Sequence, residues 1–507
     1  MKKLLPSGWL RILYILIAFI IQVSVLVLVF RFFRSQFAYF QLLSTTVSLL
    51  VVIHIIREDT NPSFKIPWIV INLSLPLLGG FAYLFYGNIR FLSRERGFIE
   101  ELARRHRVLL PSNLDYLDEL SRLDQQAAKQ SMYLATKANA PLYRGTITRY
   151  FPSGEDFFQA LLTDLETAER FIFLEYFIIR PGKMWDAIED ILVRKAAAGV
   201  DIRLLYDYFG CIVTLPSDFR FRLESLGIKV SAFNRKAIFF DARFNHRDHR
   251  KITVIDGNIG YTGGINLADE YINEEMRFGH WKDTAIRLEG DAVQSLSSQF
   301  LALWSYERKE SEELESFIPS TTCNDDGFVQ PFDDEPLGGE RVGETAYKNL
   351  ISRSVDYVYI MSPYLIIDND MIRTMTDTAK SGVDVRILLP GIPDKPYVGI
   401  LNRSYYEVLL RGGVRIYEYT PGFIHAKQFV SDDKIALVGT INLDYRSLVH
   451  HFENGVWMYA SSSVLRIRDD FLKTLEASEE MTLENLRRRG LVYNILLSIL
   501  RLFAPLM

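Results

Sequence analysis

Two of the eight histidines in this 507-residue chain stand in the same short setting. His249-Arg-Lys251 is followed by Asp256, and His425-Ala-Lys427 by Asp432, so the pattern HxKx4D occurs twice, 176 residues apart. Each copy leads into Gly-x-Ile-Asn, at Gly263-Gly264-Ile265-Asn266 and Gly439-Thr440-Ile441-Asn442. With eight histidines and about 1 in 17 odds each for Lys and for Asp, chance predicts about 0.03 such matches. On a strand, residues i and i+2 share a face, so each histidine projects beside its lysine. An imidazole next to an ammonium suits a tetrahedral phosphate. The cation neutralises non-bridging oxygens while the imidazole attacks phosphorus or moves a proton. Two such pairs in one site allow a two-step displacement without a metal or other cofactor, provided one ring is neutral and the other charged near neutral pH. Asp256 and Asp432, beside Gly257 and Asp433, read as turn formers or as the third member of each catalytic set. Asp283 and Glu453, each downstream of its own motif, are candidate partners for the histidine Nδ1 atoms, or else ordinary salt-bridge carboxylates. The other histidines lack a matching lysine. His246, Asp248 and His249 come nearest to a metal-ligand cluster, but the repeat already accounts for His249, so no metal site is expected.

The elements that must position these residues also repeat. Between about 140 and 480, β-type and helical runs alternate, the pattern of α/β units on a mainly parallel sheet. Phe171 to Ile179 reads as a buried strand, Asp186 to Ala198 as a helix, and the segment from Gly199 as the next strand. The order recurs from Tyr357, with Gly382-Val-Asp 183 residues after Gly199-Val-Asp. Residues 140–308 and 341–484 are therefore two copies of one plan. Between them, 309–340 is acidic, with Pro and Gly, and reads as a solvated linker.

The first ninety residues follow a different rule. Ile12 to Phe30, Phe37 to Ile56 and Ile66 to Tyr86 contain no Asp, Glu, Lys or Arg. Each is close to the ~20 residues a helix needs to cross a bilayer. Residues 1–90 thus form a membrane anchor with two or three transmembrane helices, the first stretch spanning or lying on the interface. The basic residues from Arg90 to Arg107, in a juxtamembrane connector at 91–139, place the large C-terminal part in the cytoplasm. Residues 485–507 read as an amphipathic helix with Arg487, Asn494, Ser498 and Arg501 on one stripe, lying on anionic lipid or packed on the body. Overall charge is −4, with 58 Lys plus Arg against 62 Asp plus Glu, so the basic excess of a non-specific nucleic-acid binder is missing. Cys211 and Cys323 are the only cysteines, too few for a disulfide framework or a zinc site.

The duplicated HxKx4D with its trailing Gly-x-x-Asn resembles the phospholipase D superfamily over about 140 to 480. More narrowly, Leu75-Pro-Leu-Leu-Gly-Gly-Phe-Ala-Tyr-Leu-Phe-Tyr-Gly, Tyr261-Thr-Gly-Gly-Ile-Asn-Leu-Ala-Asp-Glu-Tyr, Ser362-Pro-Tyr-Leu and Gly439-Thr-Ile-Asn-Leu-Asp-Tyr-Arg-Ser resemble the bacterial cardiolipin synthases of the two-motif type. That resemblance implies two α/β halves related by a pseudo-twofold, with the site where they meet. It also implies a phosphohistidine intermediate and condensation of two phosphatidylglycerols into cardiolipin and glycerol at the bacterial cell membrane. By the same resemblance His249 is the nucleophile, His425 the acid/base, and Lys251, Lys427, Asn266 and Asn442 bind phosphate. The near symmetry of the sequence does not itself choose between the histidines. A hydrolytic phospholipase D, a synthase with another donor or acceptor, a tethered nucleic-acid phosphodiesterase and an inactive scaffold are the alternatives. The extra N-terminal stretch departs from the two-span pattern of the family.

Overall fold

Apolar sequence is necessary for a spanning helix, but an unbroken backbone is needed as well. The computed structural model describes residues 17, 20–28, 31, 37–58, 60–83, 87, 97, 101, 110–235, 245–310, 314–321, 323–336, 339–486 and 491–506. Among these, one helix, Ala38–Arg57, is long and apolar enough to cross a membrane. The stretch from Ile66 to Tyr86, expected as a single span, is instead two helices, Pro62–Ser74 and Pro76–Ala82. Leu75 leaves helical geometry at φ −132° and ψ 70° because the proline ring that follows crowds an α-helical conformation at the residue before it. Glycine then lets the second helix fold back closely: a Cβ on Gly79 would stand 2.7 Å from Asn72 Cα. Ser48 from the long helix donates to the Asn72 carbonyl at 2.8 Å, so a polar group buried among apolar ones is satisfied within this unit. Residues 20–28 of the first apolar stretch are helical; most of the rest of that stretch, the basic cluster from Arg90 to Arg107, and Arg487 lie outside the described residues. The C-terminal helix is present as Leu491–Phe503. Its closing turn, Ala504–Leu506, packs on helix Pro62–Ser74 of the anchor.

The larger unit contains two sheets built to one plan. The first has strands β1 (Thr146–Phe151), β2 (Phe171–Tyr176), β3 (Asp201–Asp207), β4 (Lys229–Phe233), β5 (Lys251–Ile255), β6 (Ile259–Gly263) and β7 (Ala285–Gly290), in the order β1-β7-β6-β5-β2-β3-β4. The second has β8 (Phe328–Asp334), β9 (Tyr357–Met361), β10 (Asp384–Pro390), β11 (Arg415–Tyr419), β12 (Gln428–Ser431), β13 (Ile435–Gly439), β14 (His451–Tyr459) and an added edge strand β15 (Ser478–Met481). Its order, β8-β14-β13-β12-β9-β10-β11-β15, is that of the first sheet shifted by seven. The sheets are mixed rather than mainly parallel. Within the two strand orders just given, β2-β3-β4 and β9-β10-β11 pair in parallel, because there helices return the chain to the same end. Each motif strand instead turns straight back as a hairpin, β5 on β6 and β12 on β13.

Two segments read as connectors belong to the body. Within 309–340, Phe328–Asp334 is the second sheet's counterpart of β1, paired antiparallel with β14. Its acidic, Pro-containing sequence is tolerated because it lies on a sheet edge. Within 91–139, helix Gln125–Lys137 packs beside it and helix Leu114–Leu123 packs on that helix, with Gln330 Nε2 donating to the Ser131 and Ala140 carbonyls. Asp326 ties the halves together, accepting from Thr148 N and Oγ1 of the first and from Ser462 N and Oγ of the second.

The aspartate of each motif sits at the far end of its strand, about 16 Å from its lysine at ~3.3 Å per residue. Asp256 has φ 53° and Gly257 φ 74°, and Asp432 and Asp433 have φ 54° and 57°, the positive values that mirror-image hairpin turns require. The Asp256 carboxylate accepts from the backbone N–H groups of Glu169, Arg170 and Phe171, each at 2.8 Å. Asp432 does the same for Val355, Asp356 and Tyr357, each at 2.9 Å. Both therefore fix the entry to the neighbouring strand, which is the turn reading and places them away from the reacting groups. We expect Asp256→Ala or Asp432→Ala to cost about 3 kcal/mol of stability through the lost charge-assisted bonds. Thermal unfolding of the full chain in detergent checks this; unchanged melting with lost turnover would return these residues to the catalytic set.

Candidate active site

Histidine at a strand end is free to point many ways until its ring nitrogens are assigned partners, and here the partners come from the opposite half. Arg247–Asp248 pairs in parallel with the start of β14, Arg247 opposite His451 and Asp248 opposite Phe452. The ladder continues as His249 N–H donates to the Phe452 carbonyl at 2.9 Å. Reciprocally, Gly422–Ile424 pairs in parallel with His280–Lys282, and His425 N–H donates to the Lys282 carbonyl at 2.7 Å. The next residue on each partner segment is a carboxylate. His249 Nδ1 lies 2.9 Å from both Glu453 oxygens, and His425 Nδ1 lies 2.7 Å from Asp283 Oδ2. Asp283 and Glu453 are thus Nδ1 partners, but exchanged: each serves the histidine of the other copy, not the one upstream of it. Strand pairing across the halves causes the exchange. With Nδ1–H on a carboxylate, Nε2 of each ring is left for chemistry.

The lysines project as the i, i+2 spacing predicts, and each turns back to its own motif, Lys251 Nζ donating to the His249 carbonyl and Lys427 Nζ to that of His425. All four are buried, His249 at 6%, Lys251 at 2%, His425 at 7% and Lys427 at 1% exposure. Asn266 is committed at both ends, its Oδ1 accepting from Ile178 N–H and its Nδ2 donating to Tyr271 Oη. Asn442 is also buried, and its Oδ1 has no hydrogen-bond partner among the described residues. Gly264 abuts the first carboxylate so closely that a Cβ there would stand 2.0 Å from Asp283 Oδ1 and 2.9 Å from the His425 carbonyl. At the equivalent place Thr440 uses its side chain, donating to Glu453.

Burial dominates the electrostatics. It pushes the His249 imidazole well below its ordinary range, reinforced by Lys251, His451, Lys427 and His425. His425 falls to about 4, through burial and Lys427, against the pull of Asp283. Both rings are therefore neutral at pH 7, rather than one neutral and one charged. Burial also lowers Lys251 to about 8 and Lys427 to about 7. The carboxylates part company. Burial drives Glu453 well up, with Lys251 and Thr440 opposing. Burial works against the Asp283 charge too, but His425, Lys427 and the Thr284 N–H outweigh it and hold that carboxyl below its usual value.

Repeat-related positions carry different chemistry, which the motifs did not reveal. Two residues before each histidine stand Arg247 and Phe423; two before each carboxylate stand His451 and Trp281; four after each asparagine stand Arg446 and Glu270. Tyr271, Trp281 and Phe423 surround the His425 ring at centroid distances of 5.4, 5.4 and 5.8 Å. The His249 ring meets Phe177 at 5.0 Å and His451 at 5.4 Å. The signal available in sequence was the alternation His451-x-Glu453 and Trp281-x-Asp283, which puts each pair on one strand face. His249, His451 and Glu453 also have the spacing of metal ligands. They do not fit a dication. Binding one would break the bond that orients His249, and Lys251, Arg247 and Arg446 all act as repelling charges on His451 or His249.

The family described as "Cardiolipin synthase, PLD-like domain" matches residues 161–304 and 347–475, one match in each half, and a "Phospholipase_D-nuclease N-terminal" family matches residues 46–88. An uncharacterized protein of Streptococcus mutans is 40% identical over 462 residues, covering 90% of this chain and 99% of that protein. A cardiolipin synthase of Halalkalibacterium halodurans is 33% identical over 92% of this chain and 94% of its own length, and cardiolipin synthase 2 of Bacillus anthracis is 33% identical over 91% and 90%. Among solved structures, phosphatidylserine synthase of Haemophilus influenzae shares the fold, with a TM-score of 0.57 at 14% identity, covering 75% of this chain and 100% of that one.

The exchanged pairing predicts that Asp283→Asn disturbs His425, not His249. Loss of the ionised acceptor should abolish the Nδ1–H tautomer of His425 in ¹⁵N spectra at pH 7 and lower turnover about a thousandfold. A change confined to the His249 signals would contradict the pairing.

Proposed function

The chain belongs to the cardiolipin synthase family with phospholipase D-like domains, and from that membership we propose that it transfers a phosphatidyl group from one phosphatidylglycerol to another, giving cardiolipin and glycerol through a phosphohistidine. The observation that carries the mechanism is the pair of histidines, each oriented through Nδ1 by the other half's carboxylate and each beside a buried lysine. Either Nε2 could attack by position alone, but the carboxylates differ. Ionised Asp283 supports a positive ring, so His425 is the proton carrier, which leaves His249 as nucleophile.

His249 Nε2 attacks the donor phosphorus, forming a P–N bond while the P–O bond to the headgroup glycerol breaks. Protonated His425 gives its proton to the leaving oxygen, and glycerol departs. The phosphorylated His249 ring is then positive, with its Nδ1–H still on Glu453, whose ionisation that charge favours. A headgroup hydroxyl of the second phosphatidylglycerol next loses its proton to His425 as its oxygen attacks phosphorus. The P–N bond breaks and cardiolipin forms. His425 is neutral in the empty site, so the negative phosphodiester must recruit its proton, and it likewise favours the charged forms of Lys251 and Lys427.

Transfer rather than hydrolysis needs a water-poor site supplied from lipid. The buried site, the apolar N-terminal helix and the match of residues 46–88 support an anchor that holds the body at the bacterial cell membrane; the multi-pass topology and the cytoplasmic side rest on the apolar stretches and basic residues of the sequence alone. The substrates are then phosphatidylglycerol and its anionic neighbours, with no nucleic acid involved.

Purified full-length protein mixed with phosphatidylglycerol vesicles and a metal chelator should yield cardiolipin and free glycerol by mass spectrometry. Phosphatidic acid alone would make this a hydrolase with the same two-histidine site. The kcat/KM for phosphatidylglycerol should fall as pH rises, from about 4 upward as His425 loses its proton in the free enzyme and more steeply through about 7 to 8 as Lys427 and then Lys251 lose theirs. The acid limb, from protonation of the nucleophile, should lie below pH 6.5 because His249 is lowered. A profile that rises across pH 7 to 8 would reject this assignment of charges.

A further inference from the structure

Duplication makes the two sides of the site comparable position by position, and the sides have diverged. Beside His425 the equivalent places hold Phe423, Trp281 and Glu270; beside His249 they hold Arg247, His451 and Arg446. The second set is a cationic corner. Arg247 stands opposite His451 in the strand pairing, and Arg446 Nε lies 3.4 Å from His451 Nε2. His451 in turn lies 5.4 Å, ring to ring, from the nucleophile His249. The His451 ring is nine-tenths buried, and its Nδ1 has no hydrogen-bond partner among the described residues, Glu453 Oε1 standing 3.5 Å off. Two nearby carboxylates, Asp207 and Asp444, offset part of this positive charge while also bonding to backbone. Asp207 accepts from Gly210 and Asp248 N–H, and Asp444 from Arg446 and Ser447 N–H.

We propose that Arg247, Arg446 and His451 form a subsite for a second phosphodiester, that of the acceptor phospholipid, one glycerol away from the phosphorus held at His249. This deepens the synthase reading and rests on it. In cardiolipin two phosphates are joined by one glycerol, so a site that makes it must hold two anions in line. The lysine pair serves the reacting phosphate. The arginine corner, reached from His249 by crossing a single imidazole, serves the one that does not react. Placing two guanidinium groups and a buried imidazole together is unfavourable in an empty protein. Burial lowers both arginines, Arg247 to about 10 with Arg446 adding to the fall, while Asp207 and Asp444 oppose it; an arriving phosphodiester adds to that compensation. The same corner explains how a phosphatidylated histidine chooses among hydroxyls. Water and free glycerol carry no anion to place there, whereas a phosphatidylglycerol headgroup does.

The test separates reactions that need one phosphodiester from those that need two. Full-length protein in phosphatidylglycerol vesicles is given labelled glycerol, and exchange of label into phosphatidylglycerol is measured together with cardiolipin formation. For Arg446→Gln and for Arg247→Gln the ratio of cardiolipin formed to glycerol exchanged should fall about tenfold or more, the loss of one charge-assisted contact. Arg446→Lys should recover part of it. If Arg446→Gln does not fold, Arg247→Gln carries the same readout. An unchanged ratio in a folded variant, whether both reactions fall together or neither does, overturns the subsite. Wild-type protein that makes no cardiolipin overturns the synthase reading itself, a separate result visible before any variant is made.

Discussion

A carboxylate with no solvent exposure is costly by several kcal/mol unless hydrogen bonds and opposite charge offset its desolvation. Asp283 and Glu453 are both fully buried, and each finds its histidine in the other half of the chain. Everything else about the site depends on that arrangement. The carboxylates can reach only because short strands pair across the halves, Arg247–Asp248 on the start of β14 and Gly422–Ile424 on His280–Lys282. Those pairings in turn demand that the halves be held in one register, which the Asp326 bridge helps to provide.

The same burial holds the two His/Lys pairs of the resting site close to neutrality. Its imidazoles are neutral and its lysines are close to losing their protons, so the charges that drive phosphoryl chemistry arise with the substrate. A strongly cationic open cleft would attract any anion. A buried pair of lysines that charge fully only beside a phosphodiester discriminates after the anion has arrived. The asymmetry between Asp283 and Glu453 then assigns roles that the repeated sequence leaves equal.

Spacing carried what is local. A histidine and a lysine two apart had to share a strand face, and the doubled motif had to mean a doubled fold, because both statements depend only on strand geometry. What depends on partners distant in the chain was not legible. Asp283 lies nearer in sequence to His249 than to His425, so sequence proximity paired it wrongly. The strand Phe328–Asp334 was hidden because acidic residues and proline at a sheet edge resemble those of a linker. The mixed sheet was missed because strand type can be read from apolar runs and direction cannot. Pro76 was in view, yet the apolar run hid the break it makes at Leu75.

Crossed carboxylates also have a bearing on descent. A protein of one half's length could not orient its own histidine, but two copies meeting about a twofold axis would complete both sites at once, each lending its acid to its twin. The present chain has the contact pattern of such a symmetric pair joined end to end. Joining released the copies from identity, and the exchange records how they used it: Arg247 faces Phe423 across the repeat, and His451 faces Trp281. One side of the site could become the cationic wall and the other the aromatic one, each built from residues of both halves, an inequality that a homodimer, bound to use every mutation twice, has no means to build.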